Sequence, residues 1–412
     1  MSLATCSRAT LATLGREYML FGHLLNRAAL PHVHMQLGGA AREAVAIEEW
    51  MGASPIYTRR MQRCLDFTGD GVETIFKGFQ LDVGFPHQYM DVRYQLEDDR
   101  RGFFWLQSCG ALLEVERYGE DAVRSMCHAI EDPTFDASAV ATNPRARCRP
   151  IHRPPRTPAD RTPHCHWEVF VDPAAEPIQE APITRRVGRS RLARIDFPPA
   201  PDDGTGGWED YRRPFDPDFR LELLSRRALE RVCQEFLVQN HLLVRALMLS
   251  VADRAGDDTA CRIASAQWVG AGAVAAARLR RALGIADDGI DAIAAVLRVH
   301  PAFIPGYAPV GVSPAADDRG RLWLEDGDAF HEGDPYGWHA LPAGGPHPAL
   351  DAMVQAVNPG ARCVPVTPAG RERLAWDVVV DARTAASPPP EVAMVAGTST
   401  AAFVFRAADP AS

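Results

Sequence analysis

Several features are missing from this 412-residue sequence, and each absence excludes a class of protein. It contains no run of about 18 uncharged apolar residues, so we expect no membrane-spanning helix and no membrane partner. The N-terminal segment lacks a basic stretch followed by an apolar core and a cleavage site, which predicts a cytoplasmic protein. The net charge of −9 offers no basic face, so we expect no nucleic-acid partner.

Familiar catalytic motifs are missing as well. There is no HExxH, no paired CxxC, no pair of ExxH motifs, no GxSxG elbow, no Walker loop and no GxGxxG after a strand. We therefore expect no nucleotide cofactor, and neither a serine hydrolase, a kinase nor a nicotinamide dehydrogenase. The cysteines are nine, an odd number, which favours reduced thiols and metal ligands over a disulfide framework.

The sequence does contain one unit written twice. The segment REYMLFGHLLNRAAL, from Arg16, matches QEFLVQNHLLVRALM, from Gln234. In the same register, 218 positions apart, DDRRGFFWLQSCGA from Asp98 matches ADDRGRLWLEDGDA from Ala316. Later segments match after a small change in length. A register shared over this distance indicates a tandem duplication.

The domain boundary follows from composition. Residues 197–219 are rich in Pro, Gly and Asp and lack an apolar period, which is typical of a linker. This predicts a first repeat at 1–196, which we expect to be the active half, and a degenerate second repeat at 220–412. Because a repeated surface commonly pairs with itself, we expect the two repeats to form a pseudo-dimer.

Each half has helical periodicity first and strand periodicity afterwards. In the first half we expect helices over 16–29 and 41–65, then a third with Asp70 as its N-cap. A hairpin turning at Arg101–Gly102 and a continuing strand at 110–119 follow. A helix then covers 119–132, and three short strands begin near 146, 166 and 191. The fold class is α+β: helices, then a mostly antiparallel sheet, written twice.

Comparison of the two copies distinguishes residues of the scaffold from candidate functional residues. Residues present in both copies are interpreted as scaffold; they include the pairs Glu17/Glu235, His23/His241, Trp50/Trp268, Trp105/Trp323, Cys148/Cys363 and Trp167/Trp376. The first half also holds metal- and proton-competent residues where the second has others. Cys109 aligns with Gly327 of the second half, and Cys165 aligns with Leu374.

The strongest constellation combines Cys127-His128-Ala-Ile-Glu131-Asp132 with His164-Cys165-His166. Residues three or four apart share a helix face, which sets His128 beside Glu131 and Asp132. Residues two apart share a strand face, so His164 and His166 should point together. Two imidazoles and a carboxylate suit zinc or non-haem iron, and the sequence does not choose between them. Cys109, Cys127 and Cys165 are further ligand candidates.

Other charged groups are candidates for binding substrate. Arg153 and Arg156, in a Pro-rich segment, could hold a carboxylate or phosphate, although solvated loop arginines are equally typical. Glu48 and Glu49 precede Trp50 in an apolar helix, so one of them must lie near the core, as an acid/base group or in a salt bridge to Arg59 or Arg60.

A second His-x-His, formed by His32 and His34 just after the first predicted helix, could complete a site or lie on the surface.

The segments CGALLEVERYGEDAVRSMCHAIEDPTFD, NPRARCRPIHRPPR and HCHWEVFV resemble the L-2-amino-thiazoline-4-carboxylate hydrolase-like domain, which is in turn similar to the 4-vinyl reductase-like domain. The resemblance covers about residues 75–175, and the whole chain is similar to uncharacterised actinobacterial proteins. It implies hydrolysis of a C–N or C=N bond in a small ring, or a small-molecule pocket near zinc. This sequence departs from the pattern in being duplicated and in adding His164 and His166.

Together these observations predict a metal-dependent, hydrolase-like enzyme of the first half that acts on a small organic acid or acyl compound. Glu131, His128 and Asp132 would be catalytic, and Arg153, Arg156 and Glu48 would bind substrate. The alternatives are an iron oxygenase with the same ligands, a binding or sensing module with a cysteine-dominated closed shell, a metal-free acid/base site, and a purely structural protein. The partner would be a small molecule, and the chain a monomer with an internal pseudo-dimer or a homodimer.

Overall fold

The computed structural model describes residues 2–201, 204, 206–316, 318–338, 347–381, 383 and 385–396. The helices are α1 (Arg8–Leu37), α2 (Gly39–Cys64), α3 (Val72–Phe79), α4 (Gly110–Val115), α5 (Glu120–Arg124), α6 (Glu131–Val140), α7 (Pro182–Val187), α8 (Arg226–Ala255), α9 (Asp257–Ala282), α10 (Ile290–Leu297), α11 (Pro348–Gln355) and α12 (Pro390–Ala396). The strands are β1 (Met90–Asp98), β2 (Arg101–Cys109), β3 (Ala146–His152), β4 (Cys165–Val171), β5 (Val310–Ala316), β6 (Arg319–Glu325), β7 (Ala361–Val366) and β8 (Glu372–Val380).

The predicted duplication is confirmed by the element order. Helices α1 and α8 are both 30 residues long, α2 and α9 are both 26, and α3 and α10 are both 8. Each long pair is joined by a glycine with positive φ, Gly38 (86°) or Gly256 (80°), a conformation that ends a helix without steric cost. Ser7 and Ser225 cap the first helix of each half by accepting a backbone N–H bond.

The two halves pack through their long helices into a pseudo-dimer. Helix α1 contacts α8 and α9, and α2 contacts α8. Two equivalent ion pairs cross the interface: Arg60 binds Glu235 with two bonds of 2.8 Å, and Arg278 binds Glu17 at 2.7 and 2.9 Å. Arg278 is 218 positions beyond Arg60, and Glu235 is 218 positions beyond Glu17, so the contact is an internal version of an isologous interface.

Each half completes its fold with a four-stranded antiparallel sheet. The strand orders are β1-β2-β4-β3 and β5-β6-β8-β7, which are equivalent. The buried face of each sheet carries a tryptophan, Trp167 or Trp376, exposed by 0% and 1% respectively. The N–H groups of Cys148 and Cys363 donate to Asp136 and Asp351, each at 2.7 Å, so this scaffold interaction is also duplicated. The α+β class is therefore as expected.

Two predicted strands are wrong. Residues from Gly110 form helix α4, because the sheet ladder ends where the Gly110 N–H donates to the Tyr89 carbonyl. The segment at 191–197 contains only a short 3₁₀ turn, Leu192–Arg194. Its backbone cannot pair with a strand there, since the N–H groups of Arg191 and Leu192 both donate to Glu332.

Three element boundaries also differ from expectation. Helix α1 continues through Pro31 to Leu37, so His32 and His34 lie inside the helix and not after it. Gly71, not Asp70, precedes α3, and the first N–H of the helix donates to the Asp99 carbonyl instead of to a side-chain cap. The β1–β2 turn lies at residues 99–100, before Arg101.

The segment predicted as a linker, 197–219, has no helix or strand among its described residues. It is nevertheless held against the first half. Tyr211 is 0% exposed, its N–H donates to the Leu65 carbonyl, and its hydroxyl donates to Gln80. Within the described ranges, no helix has the length and apolarity needed to cross a bilayer.

Candidate functional site

The histidines shared by both copies have the same structural role. The Nε2 atoms of His23 and His241 each bond a backbone carbonyl, that of Gly84 at 3.2 Å and that of Pro301 at 2.9 Å. Burial lowers the pKa of each to about 4, so both imidazoles are neutral at physiological pH. This confirms that His23 is a scaffold residue and directs attention to groups present in one copy only.

One interior of the first half gathers four groups that the sequence singled out. Cys109 ends β2, Cys165 begins β4, Cys127 lies in a π-helical turn (Ser125–Ile130), and Glu131 begins α6. We call these four residues the thiol cluster. Its cysteines are only 2% to 5% exposed. The Glu131 Oε2 atom is buried and has no hydrogen-bond partner among the described residues.

Burial and neighbouring charges raise the pKa values of all four members of the thiol cluster. Burial, partly offset by the charge of Arg153, raises the pKa of Glu131 to about 8. Burial and then the Glu131 carboxylate raise the pKa of Cys109 to about 12, and they also raise the pKa values of Cys127 and Cys165 well above that of an ordinary thiol. At neutral pH the cluster is therefore largely protonated, and its potential ligand atoms carry little charge.

The π-helical turn separates the thiol cluster from solvent. Such wide turns are frequently found at functional sites. Cys127 and Glu131 face the interior, whereas the neighbouring His128 and Asp132 line an open groove of about 520 Å³. That volume is within the range of ligand sites. The groove is lined by Glu43, Asp121, Arg124, Ser125, His128 and Asp132. His128 Nε2–H donates to the Pro154 carbonyl at 2.6 Å, so one edge of its ring is engaged.

The connection between β3 and β4, residues 153–164, is longer than its counterpart between β7 and β8, residues 367–371. We call residues 153–164 the strap. Arg153 forms an ion pair with Asp132, and Arg156 binds Glu116 through two bonds of 2.8 Å. The strap is thus a first-half addition that is tied to the helical side of the cluster, and both arginines expected to bind substrate are paired with carboxylates.

The three histidines expected to converge on a metal do not. His164 is 5% exposed, and its Nδ1 accepts the Cys109 N–H at 3.0 Å. His166 lies on the other, solvent-facing side of the sheet, against Trp105 and His152. The prediction that His164 and His166 share a face is therefore wrong. Strand geometry begins only at Cys165, so the alternation does not extend to His164.

In the described part of the chain, no three His, Cys, Asp or Glu side chains are grouped closely enough to hold a metal ion.

The remaining candidates lie away from the thiol cluster. Glu48 accepts bonds from Ser250 at 2.6 Å and Arg254 at 2.8 Å across the pseudo-dimer interface. Glu49 is the glutamate near the core; it is 0% exposed and forms no salt bridge with any described residue, and Arg59 and Arg60 pair with Glu180 and Glu235 instead. His32 and His34 occupy the last turns of α1, where burial lowers the pKa of His32.

Two residues near these groups escaped the sequence analysis. Glu116 holds Arg156, and His152 lies opposite His166 on the neighbouring strand. Val366 occupies the position in the second half that is equivalent to His152, so a comparison of the two copies would indicate His152 as a residue specific to the first half. The equivalence depends on the strand register, which only the structure gives.

Comparisons with known proteins add no assignment. No family model matches the chain, and neither a curated protein nor a solved structure is significantly similar to it. The candidate site is therefore described by its geometry alone. An interior that contains thiols and a carboxylate lies beside an open groove in the first half of a duplicated α+β scaffold.

Proposed function

We propose that the first half binds zinc through Cys109, Cys127, Cys165 and Glu131, in a module that binds a small organic molecule. One observation carries the proposal: these four buried groups lie near enough to influence one another's pKa values, and the Glu131 Oε2 atom has no hydrogen-bond partner among the described residues. Because no three such side chains in the described ranges already lie within reach of one metal ion, zinc would have to draw the four groups together. The second half has Gly327 in place of the first of these cysteines.

The donor chemistry supports zinc over other ions. Thiolates and a carboxylate are common zinc ligands, and four donors match its usual coordination number. Soft thiolates disfavour magnesium and calcium. The iron oxygenase alternative loses support because it needs histidine–carboxylate ligation, and His128, His164 and His166 have separate surroundings.

Proton linkage gives this site a characteristic pH dependence. The thiols of Cys109, Cys127 and Cys165 have raised pKa values, so each must lose a proton when it becomes a metal ligand. Glu131, with a pKa of about 8, must do the same. We expect zinc uptake to release protons and zinc affinity to rise steeply between about pH 6 and pH 8.

The open groove favours a second candidate, zinc-dependent hydrolysis of a small acid or acyl compound. Bound zinc polarises a substrate carbonyl or lowers the pKa of a water molecule. His128 and Asp132 line the groove and are among the residues there that could accept or return a proton. The burial of the cysteines favours a binding or sensing role over catalysis, because a catalytic zinc needs an open coordination position.

Elemental analysis of the tag-free protein tests the proposal. We expect about one zinc per chain, lost in Cys127→Ala and Cys109→Ala. Cys363→Ala, which removes an equally buried thiol from the second half, is the matched control and should keep the metal. His166→Ala should also keep it, because that side chain lies on the other side of β4. A metal-free wild type, or zinc retained in both cluster variants, would refute the proposal; iron in place of zinc would restore the oxygenase.

A further inference from the structure

The solvent-facing side of the first sheet carries a row of side chains from all four strands. The strand register aligns Arg93, Trp105, His166 and His152 across β1, β2, β4 and β3. His152 and His166 are directly paired, with ring centroids 6.0 Å apart and an interplanar angle of 75°. Both imidazoles are half-buried, so each remains reachable from solvent. Cross-strand partners on one face are close enough for their side chains to act together.

The hydrogen bonds leave lone pairs available on both rings. His152 Nε2–H donates to the Pro163 carbonyl at 3.0 Å, so Nδ1 is the ring atom left to bind a metal. Histidines that ligate metals are usually oriented by such a bond to a backbone carbonyl. Among the described residues, the His166 side chain makes no hydrogen bond, and its ring lies against those of Phe103, Trp105 and His152.

The second half provides an internal comparison. At the equivalent register its row reads Gly311, Trp323, Ala375 and Val366. The tryptophan is the same in both halves, whereas the paired imidazoles replace an alanine and a valine. The histidine pair is therefore not needed to build this sheet, because the second half builds the same sheet without it.

We propose that His152 and His166 form a second metal site on the solvent-facing side of the first sheet. It takes a divalent ion that prefers imidazole nitrogen, such as nickel, copper or zinc, and leaves the other positions to water or a ligand. The site does not rest on the zinc proposal, because Cys165 and His166 lie on opposite sides of β4.

Nickel titration tests this site, since Ni²⁺ favours imidazole and is not reduced by thiols. Calorimetry on the full chain at pH 7.5 should give one nickel per chain, and His152→Gln and His166→Gln should each weaken binding about tenfold or more. His331→Gln removes a solvent-exposed histidine of the second half and should bind like the wild type. Nickel should also quench Trp105 fluorescence in the wild type and not in His166→Gln.

The outcomes separate this site from the thiol cluster. Cys127→Ala should bind nickel normally even though it loses zinc. Unchanged affinity in both histidine variants, or no nickel binding by the wild type, would overturn the proposal. Loss of nickel binding in Cys127→Ala alone would also overturn it and assign the ion to the thiol cluster.

Discussion

Glu49 lies on α2 with both carboxyl oxygens buried and without a hydrogen-bond partner in the described part of the chain. Its equivalent in the second half, Gln267, is also 0% exposed, but donates Nε2–H to the Leu25 carbonyl at 3.2 Å. Leu243, on α8 of the second half, is 218 positions beyond Leu25, so the duplication provides the matching carbonyl for a glutamine at position 49. We therefore expect Glu49→Gln to make the hydrogen bond that Gln267 already makes.

The expected gain depends on pH. Burial raises the pKa of Glu49 well above its ordinary value of 4.5. The stability that the protonated acid contributes is complete below the unfolded pKa and is lost as pH rises through the folded pKa. Glutamine does not titrate. An added hydrogen bond and one fewer unsatisfied oxygen together contribute about 1–3 kcal/mol. At about 2.1 cal/mol/K per residue, 1 kcal/mol moves the Tm of a chain of 412 residues by only about 1 °C, so the free energy must be measured directly.

Urea unfolding of the wild type and Glu49→Gln at pH 5, 6.5 and 8 provides that measurement. The variant should be more stable, with a difference that grows towards pH 8. Gln267→Glu is the matched reverse substitution; it should destabilise the protein and steepen the loss of stability with pH. The reasoning is refuted if Glu49→Gln is no more stable than the wild type at pH 8, or if the difference is the same at every pH.

Two further predictions concern the scaffold. Arg60→Ala leaves the buried Glu235 carboxylate without its bidentate partner, so we expect a loss of about 3–5 kcal/mol in urea unfolding; a loss below about 1 kcal/mol would contradict an interface held by this pair. Gly110→Ala would place a methyl group 2.2 Å from the Tyr89 ring and should cost about 1–3 kcal/mol. Its control, Gly206→Ala, enters open space and should stay within about 0.5 kcal/mol of the wild type, whereas equal effects would refute the packing argument.

The two copies of the scaffold share some contacts and differ in other residues. Pairs kept in both copies make equivalent contacts, as Tyr89 with Glu114 and Tyr307 with Glu332 illustrate at 2.9 Å each. Residues present only in the first half occupy the thiol cluster, the strap and the histidine pair. Both halves contribute long helices to the shared helical core.

The sequence by itself determined the duplication, the α+β class and most helices and strands. These depend on periodicity and on repeated side-chain patterns, which neighbouring residues encode locally. It also named Cys109, Cys127, Cys165 and Glu131 among the candidate ligands, but it did not separate them from His128, His164 and His166. The apolar run Gly110–Val115 is too short to distinguish helical from strand periodicity. In the structure it forms a helix, and the Cys109 side chain caps its N-terminus.

Only the tertiary structure decided which of these residues meet. Whether His164 and His166 share a face depends on where β4 begins, and the partners of Arg153 and Arg156 depend on how the strap folds over the helices. The pairing of His152 with His166 depends on strand register. Such contacts join residues distant in sequence, and their geometry is set by the packing of whole elements, which no local pattern specifies.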